Sequence, residues 1–343
     1  MVKVFAPVNI AWIKYMGKEN GNPTNSSLSM TLGEVGTITE IKKVSESKGL
    51  QFSWSQEGYV PPQIGRDKAE YFLKNEKVWR DGFLELGFNF IAPSGHFEIS
   101  TFNNVPAGTG IATSASGFAA LTLAWIGVLM GPQIPRWLAQ FKSSEEIRSK
   151  VAQIAKLGSG SAGRSIDGPW VEWDTRRGFH KVAGVKVTFT DFILLIDQEA
   201  KSVSSSEAHL RVMTSPHFVS RVERAETRLA QVKHALLKGD LQVLSRCVLD
   251  EALDMHDLFH TSEPPFSYLK PDSKKWMDRI KNAVPGLPSE NAILTLDAGA
   301  NVHLFVPESE EHAWEKYLNF EKPRVNFLKA RSGPGAYYVD SGQ

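Results

Sequence analysis

A chain of 343 residues exceeds the size at which one hydrophobic core keeps growing, so two domains are expected. With 42% hydrophobic and 22% charged residues the composition is that of a soluble globular protein, and a formal net charge of +1 gives no overall pull toward nucleic acid or an anionic membrane. The one cysteine, Cys247, excludes an internal disulfide, disfavours a structural zinc site and reads as a small core residue.

The first residues carry no secretory apolar run, which points to a reducing, cytoplasmic setting. Residues 1–12 and 27–43 read as strands, the second rich in Thr, Ile and Val. The first strand runs out through Pro7-Val8-Asn9-Ile10-Ala11-Trp12-Ile13-Lys14-Tyr15-Met16-Gly17-Lys18. Two lysines four apart, beside a tyrosine and a glycine, suit a polyphosphate because each ammonium is a compact point charge. Two surface lysines explain the same spacing. Residues 71–79 read as a helix and 95–101 as an alternating strand.

Residues 103–117, Asn103-Asn104-Val105-Pro106-Ala107-Gly108-Thr109-Gly110-Ile111-Ala112-Thr113-Ser114-Ala115-Ser116-Gly117, are small and hydroxylated and lead into an apolar helix, 118–130. Little side-chain bulk lets backbone N–H groups approach a ligand, and the first helical turn leaves N–H groups unpaired at the positive end of the dipole. Together they suit an anion, most often a phosphate. Thr113, Ser114 and Ser116 add hydroxyls for phosphate oxygens or a magnesium ion. The loop has no lysine and so is not a Walker motif. The helix 118–130 should be buried on most sides and is too short to cross a bilayer.

Ser143 reads as an N-cap with Glu146 closing a capping box, and Gly158 ends that helix. Gly158-Ser159-Gly160-Ser161-Ala162-Gly163-Arg164-Ser165 has the G-x-G-x-x-G spacing but follows a helix rather than a strand, so it is no dinucleotide fingerprint. Its hydroxyls, backbone N–H groups and guanidinium can converge on one anion. A helix cap and loop is an equal alternative. Residues 168–174 and 185–189 read as strands and 192–196 as a covered strand, with a domain boundary near 190. Beyond it Phe218, Val222, Ala225, Leu229, Val232 and Leu236 mark a long helix, broken at Gly239-Asp240. A second helix runs to about 258 and a third over 273–284, with Ser273 as N-cap. Residues 292–296 and 302–307 read as strands.

Leu296-Asp297-Ala298-Gly299-Ala300-Asn301 puts an aspartate at the end of an apolar strand, entering a glycine turn. It is placed to be an oriented base or charge stabiliser, or simply to bond its own backbone. Ser332-Gly333-Pro334-Gly335 reads as a turn. His256 and His260 lack the Glu of H-E-x-x-H and read as a packed pair; His303 reads as a strand residue, core or partly exposed.

In this order the segments resemble the diphosphomevalonate decarboxylase family of the GHMP kinase superfamily, over nearly the whole chain. Residues 7–18 are similar to its P-x-N-I-A-x-x-K-Y-W-G-K opening, with Met16 for Trp. Thr24-Asn25-Ser26-Ser27-Leu28-Ser29 matches N-S-S-[IL]-S, and residues 103–117 resemble its nucleotide loop, with Thr113 for the first Ser of an S-S pair. Residues 158–165 resemble G-S-G-S-A-x-R-S, Val203-Ser204-Ser205 resembles V-S-S, and Leu258-Phe259-His260 is nearest to S-F-H. Asp297-Ala298-Gly299-Ala300-Asn301 resembles D-A-G-P-N.

The resemblance implies a two-domain α+β GHMP kinase fold, divided as 1–190 and 191–343. The first domain would be ribosomal protein S5 domain 2-like with left-handed β-α-β elements, the second ferredoxin-like, with the active site in the cleft between them. It implies ATP-dependent decarboxylation of mevalonate 5-diphosphate, with ATP and magnesium as cofactors and a cytoplasmic homodimer as the assembly. By the same analogy Asn104, Pro106, Gly108, Gly110, Thr113, Ser114, Ala115 and Ser116 hold the nucleotide, and Ser114 the metal. Lys14, Tyr15, Lys18, Ser159, Ser161, Arg164 and Ser205 meet the substrate, Arg164 through its carboxylate. Asp297 orients or deprotonates the 3-hydroxyl, and Lys18 and Arg164 share in catalysis. A 3-hydroxyl kinase, a 5-phosphomevalonate decarboxylase and a non-catalytic relative are the alternatives.

Overall fold

Strand β1 (Val2–Ile13) is buried along almost its whole length, as expected of a strand covered on both faces. The structure, a computed structural model, describes residues 1–19, 21–56, 61–104, 113–197, 203–282, 286–321 and 324–339. After β1 come a short hairpin of β2 (Lys18–Glu19) and β3 (Asn22–Pro23), the long β4 (Ser27–Ser45) and β5 (Leu50–Trp54). Helices α1 (Gln63–Lys74) and α2 (Glu76–Leu86) then lead to β6 (Gly95–Asn103). Helices α3 (Thr113–Met130), α4 (Ile134–Ser143) and α5 (Glu145–Gly158) and strands β7 (Trp170–Asp174) and β8 (Gly178–Lys181) follow.

The second domain opens with β9 (Phe189–Leu195). Helices α6 (Ser205–Arg211), α7 (Phe218–Lys238), α8 (Leu241–Thr261) and α9 (Pro271–Lys281) come next. Strands β10 (Ile293–Thr295) and β11 (Val302–Pro307), helix α10 (Glu311–Glu321) and strand β12 (Asn326–Arg331) complete it. The short β13 (Tyr337–Tyr338) returns to the first domain.

The first sheet runs β13-β1-β4-β6-β5, with β7 beside the start of β4 and β8 beside β7. Its β5–β6 pair is parallel and is joined through α1 and α2. The second sheet runs β10-β11-β9-β12, all antiparallel, which is the strand order of a ferredoxin-like βαββαβ unit. The α+β, two-domain architecture expected from the sequence is the one observed.

Helix α3 is the core helix of the first domain: Ala119, Ala120, Leu123, Ala124, Trp125 and Ile126 are all fully buried. With its flanks, the stretch Ser114–Ser143 reaches 30 residues, long and apolar enough for a membrane span on length and composition, which corrects the expectation from 118–130 alone. Most of its apolar window, 67%, is instead buried inside the protein.

An aromatic cluster joins the two sheets. Trp12 of β1 meets Trp170 of β7 at 4.5 Å, Phe189 of β9 at 5.1 Å and Phe305 of β11 at 5.3 Å, all edge-on. Leu229 and Val232 of α7 and Leu244 and Val248 of α8 extend the same core. A hydrophobic interface of this kind fixes the two domains against each other. It thereby sets the end of β1 close to the turn after β10.

Several local expectations need correction. The helix expected over 71–79 is two helices, because Asn75 ends α1 and its side chain accepts the Val78 N–H as N-cap of α2. The N-cap of α5 is Ser144, whose Oγ accepts from Ile147, while Ser143 closes α4 and donates to the Ala139 carbonyl. Residues 185–188 are not a strand; β9 starts at Phe189. Helix α9 starts at Pro271, and Ser273 is buried within it, donating to the Ala300 carbonyl at 2.6 Å. That bond ties α9 to the turn after Asp297.

Candidate active site

The last residues of β1 and the turn after β10 meet in the cleft. Lys14 is 2% exposed and its Nζ donates to Asp297 Oδ1 at 2.6 Å and to the Ala11 carbonyl at 2.5 Å. The Asp297 side chain keeps 34% exposure because it faces a cavity of about 280 Å³. Burial would push the Asp297 carboxyl up, but Lys14, His303 and Arg164 outweigh it and hold it below the usual range. Burial also weakens the hold of Lys14 on its proton, against the pull of Asp297. The pair therefore presents an ionised carboxylate to the cavity.

Helices α7 and α8 fix this segment from behind. Glu251 accepts the Lys14 backbone N–H at 3.1 Å and is paired with Arg221, which is fully buried. Arg221 in turn donates to the Lys14 carbonyl and to Asn25 Oδ1, each at 2.9 Å. Glu226 accepts the Ser26 N–H at 2.6 Å. Both first-domain motifs, at 7–18 and 24–29, are thus anchored to second-domain helices. His256 of α8 lies within 3.1 Å of the Asp297 carbonyl and braces the same turn.

Facing Asp297 is a cluster of cations and hydroxyls. Arg164 is 6% exposed, donates to Ser27 Oγ at 3.0 Å and lies 5.5 Å from the centre of the Tyr15 ring. Lys18 Nζ lies 5.9 Å from the same ring. His209 stacks on Tyr15 at 4.6 Å, and its Nδ1 accepts the Gly17 N–H at 3.0 Å. Gly17 has φ +101°, a conformation that favours glycine. A Cβ at Gly160 would run into the Tyr15 hydroxyl and approach Lys18 Nζ, so a larger residue there would displace the Tyr15 side chain. Ser159, Ser161, Ser205 and Lys68 line the same cavity as Arg164 and Lys18.

Ser114, exposed in the first turn of α3, lines this cavity and also a second one of about 220 Å³. The second cavity is walled by Trp54, Pro61, Pro62, Ile99, Phe118 and Leu121. A hydroxyl shared by a polar and an apolar cavity is placed to touch a ligand that occupies both.

The structure brings together Lys14, Tyr15, Lys18, Ser114, Ser159, Ser161, Arg164, Ser205 and Asp297 around one cavity. Several of the expected ligand residues have partners within the protein. Lys14 is paired with Asp297. Asn104 is committed to backbone: its Oδ1 accepts from Gly36 at 2.7 Å and its Nδ2 donates to the Glu34 carbonyl at 2.6 Å. The side chains of Ala115 and Ser116 are buried, and Ser116 Oγ shares a 2.8 Å bond with Thr37. Pro106, Gly108 and Gly110 lie outside the described residues, as does the side chain of Thr113. Sequence reasoning missed Lys68, His209, Arg221 and Glu251, which stand alone on helices with no spacing signature. It also left unread the buried pair of His303 Nδ1 and Asp191 Oδ2, 2.7 Å apart behind Asp297.

Two family models divide the chain between them. The diphosphomevalonate decarboxylase-like N-terminal domain matches residues 6–182, and the mevalonate 5-diphosphate decarboxylase C-terminal domain matches residues 192–330. This chain belongs to the diphosphomevalonate decarboxylase family. The diphosphomevalonate decarboxylase of Ganoderma lucidum is 30% identical over 338 residues, covering 90% of this chain and 78% of that protein. The mevalonate diphosphate decarboxylase of Enterococcus faecalis, described by its mevalonate diphosphate-mediated ATP binding mechanism, superposes with a TM-score of 0.79 at 26% identity over 99% of each chain. The structure of MDDEF in complex with MVAPP, AMPPCP and magnesium matches with a TM-score of 0.79 at 27% identity, again over 99% of each chain. Within this family frame the cavity lies where the two matched domains face each other.

Proposed function

We propose that this family member converts mevalonate 5-diphosphate to isopentenyl diphosphate, carbon dioxide, ADP and phosphate at the expense of ATP. The observation that carries the reading is the Lys14–Asp297 pair, which faces Arg164 and Lys18 across one cavity in a chain matched by both family domains. The substrate carries a carboxylate, a tertiary hydroxyl and a diphosphate. Arg164 suits the carboxylate with its planar fork, while Lys18, Ser159, Ser161 and Ser205 suit phosphate oxygens.

The 3-hydroxyl oxygen attacks the terminal phosphorus of ATP, the bridging P–O bond breaks and ADP leaves. Phosphoryl transfer of this kind is governed by positioning and charge neutralisation. A carboxylate held below its usual range is a weak base, so Asp297 chiefly orients the hydroxyl and takes its proton late. The 3-phosphate then departs with the C3–O electron pair. The C1–C2 bond breaks, its electrons form the C2=C3 double bond, and carbon dioxide is released. Arg164 holds the carboxylate in line for that cleavage, and Lys18 and Lys68 face the charge that gathers on phosphate.

Magnesium would neutralise charge shared between the nucleotide phosphates. Among the described residues no three His, Cys, Asp or Glu side chains cluster as a metal cage. This fits an ion held mainly by phosphate oxygens and water, with the Ser114 hydroxyl as the protein's contribution. The apolar walls of the second cavity suit the nucleotide base.

The test is release of carbon dioxide and ADP from mevalonate 5-diphosphate with magnesium ATP. ADP without carbon dioxide would reduce the protein to a 3-hydroxyl kinase. Asp297→Asn should lower turnover at least about 100-fold while leaving the thermal transition in place; near-normal turnover would remove Asp297 from the chemistry.

A further inference from the structure

We propose that His209 is a substrate-positioning residue whose Nε2–H donates to a phosphate oxygen of the substrate in the cavity. The inference deepens the decarboxylase reading and rests on it.

The tautomer follows from the partner. A backbone N–H can only donate, so the Nδ1 that receives the Gly17 N–H at 3.0 Å carries no proton. The neutral ring must then carry its proton on Nε2. Among the described residues Nε2 has no hydrogen-bond partner, and the ring lines the cavity. The ring cannot easily turn away: Tyr15 stacks on one face at 4.6 Å with 23° between planes, and the residue is 7% exposed.

Charge explains why a neutral donor belongs here. Burial, with Lys18 and Arg164 nearby, pushes the imidazole down to about 3. The ring therefore stays uncharged at any ordinary pH. Lys18, Lys68 and Arg164 line this cavity besides the Asp297-paired Lys14, and a further cation would be repelled by them. An uncharged N–H adds direction without adding to that repulsion. The one acidic side chain among the described lining residues, Asp297, is paired with Lys14, so a phosphorylated ligand settles on the side where His209 stands.

A purely structural role, bracing Gly17 and Tyr15, makes a different prediction. In His209→Asn the side-chain oxygen takes the place of Nδ1 and still receives the Gly17 N–H, but nothing replaces Nε2. In His209→Gln the amide nitrogen reaches to where Nε2 was. We expect His209→Asn to weaken calorimetric binding of mevalonate 5-diphosphate about tenfold and to raise its KM alike, with kcat within about twofold, as for loss of one hydrogen bond to a charged group. His209→Gln should recover most of the loss. In the wild-type protein, labelled with 15N-histidine, mevalonate 5-diphosphate should shift the Nε2–H resonance of this ring.

Wild-type affinity in His209→Asn, or an Nε2–H resonance that does not move, would overturn the assignment and leave His209 as a brace. Should the Asn variant fail to fold, the wild-type resonance decides alone. Failure of the wild type to bind or decarboxylate the compound would remove the decarboxylase reading, and the His209 assignment with it. Normal turnover with an unmoved resonance would remove His209 only.

Discussion

Asp297 and Lys14 come from opposite ends of the chain, and each sets the charge of the other. Removing the ammonium exposes what burial does by itself. In Lys14→Met the carboxyl loses its main counter-ion, so desolvation pushes its pKa up. The wild-type carboxyl, held low, keeps its charge below the usual aspartate range of about 4. The acid limb of the pH profile of kcat/KM should therefore lie lower in the wild type and move to higher pH in Lys14→Met. An unmoved limb would mean that Asp297 does not govern it. Lys14, Arg164 and Asp297 were legible because each sits in a run of residues whose local chemistry is unusual. Lys68 and His209 were not, because a single lysine or histidine on a helix carries no signature until the fold supplies its neighbours. The commitment of Lys14 to Asp297 was equally hidden, since a pair 283 residues apart has no local trace.

At the level of elements, periodicity located the long helices and the covered strands, and it failed where two residues compete for one role. Ser143 and Ser144 both precede a glutamate, and only the backbone shows that the second accepts the Ile147 N–H. The strand expected at 185–189 failed because the alternation there is real but unpaired; ladder bonds begin at Phe189. Short β13 had no signal at all, yet it contributes much of the tie between the tail and α3. Tyr338 Oη accepts from Trp137 Nε1 at 2.7 Å and donates to the Leu123 carbonyl at 2.8 Å. Tyr338→Phe leaves both groups buried without that oxygen. It should lower unfolding free energy by about 1–3 kcal/mol in urea titration. A loss below about 0.5 kcal/mol would show that water replaces the hydroxyl there.

For the whole molecule, the two domains share an apolar core and a buried ionic knot. Arg221 and Glu251 are both 0% exposed and lie between Lys14, Asn25 and the body of α8. Glu251→Leu would strand the Arg221 guanidinium in that interior. The expected loss is about 3–5 kcal/mol of stability, with both domains melting in one calorimetric transition. Two separate transitions would show that the shared core does not couple them. None of this was readable beforehand, since a boundary near 190 says where the chain divides but not how strongly the halves hold each other.

The tail has one more consequence. Val4 pairs with Tyr338 and Phe5 with Tyr337, and the Val339 N–H reaches the Lys3 carbonyl at 2.9 Å, so the described ends of the chain lie side by side. A circular permutant that links them through a short glycine-serine bridge and opens at the exposed Lys48 should express as a folded, active enzyme. Cutting the chain after Arg331 should do the reverse: it bares the outer margin of β1 at Val4 and Phe5, a ready template for strand-to-strand aggregation.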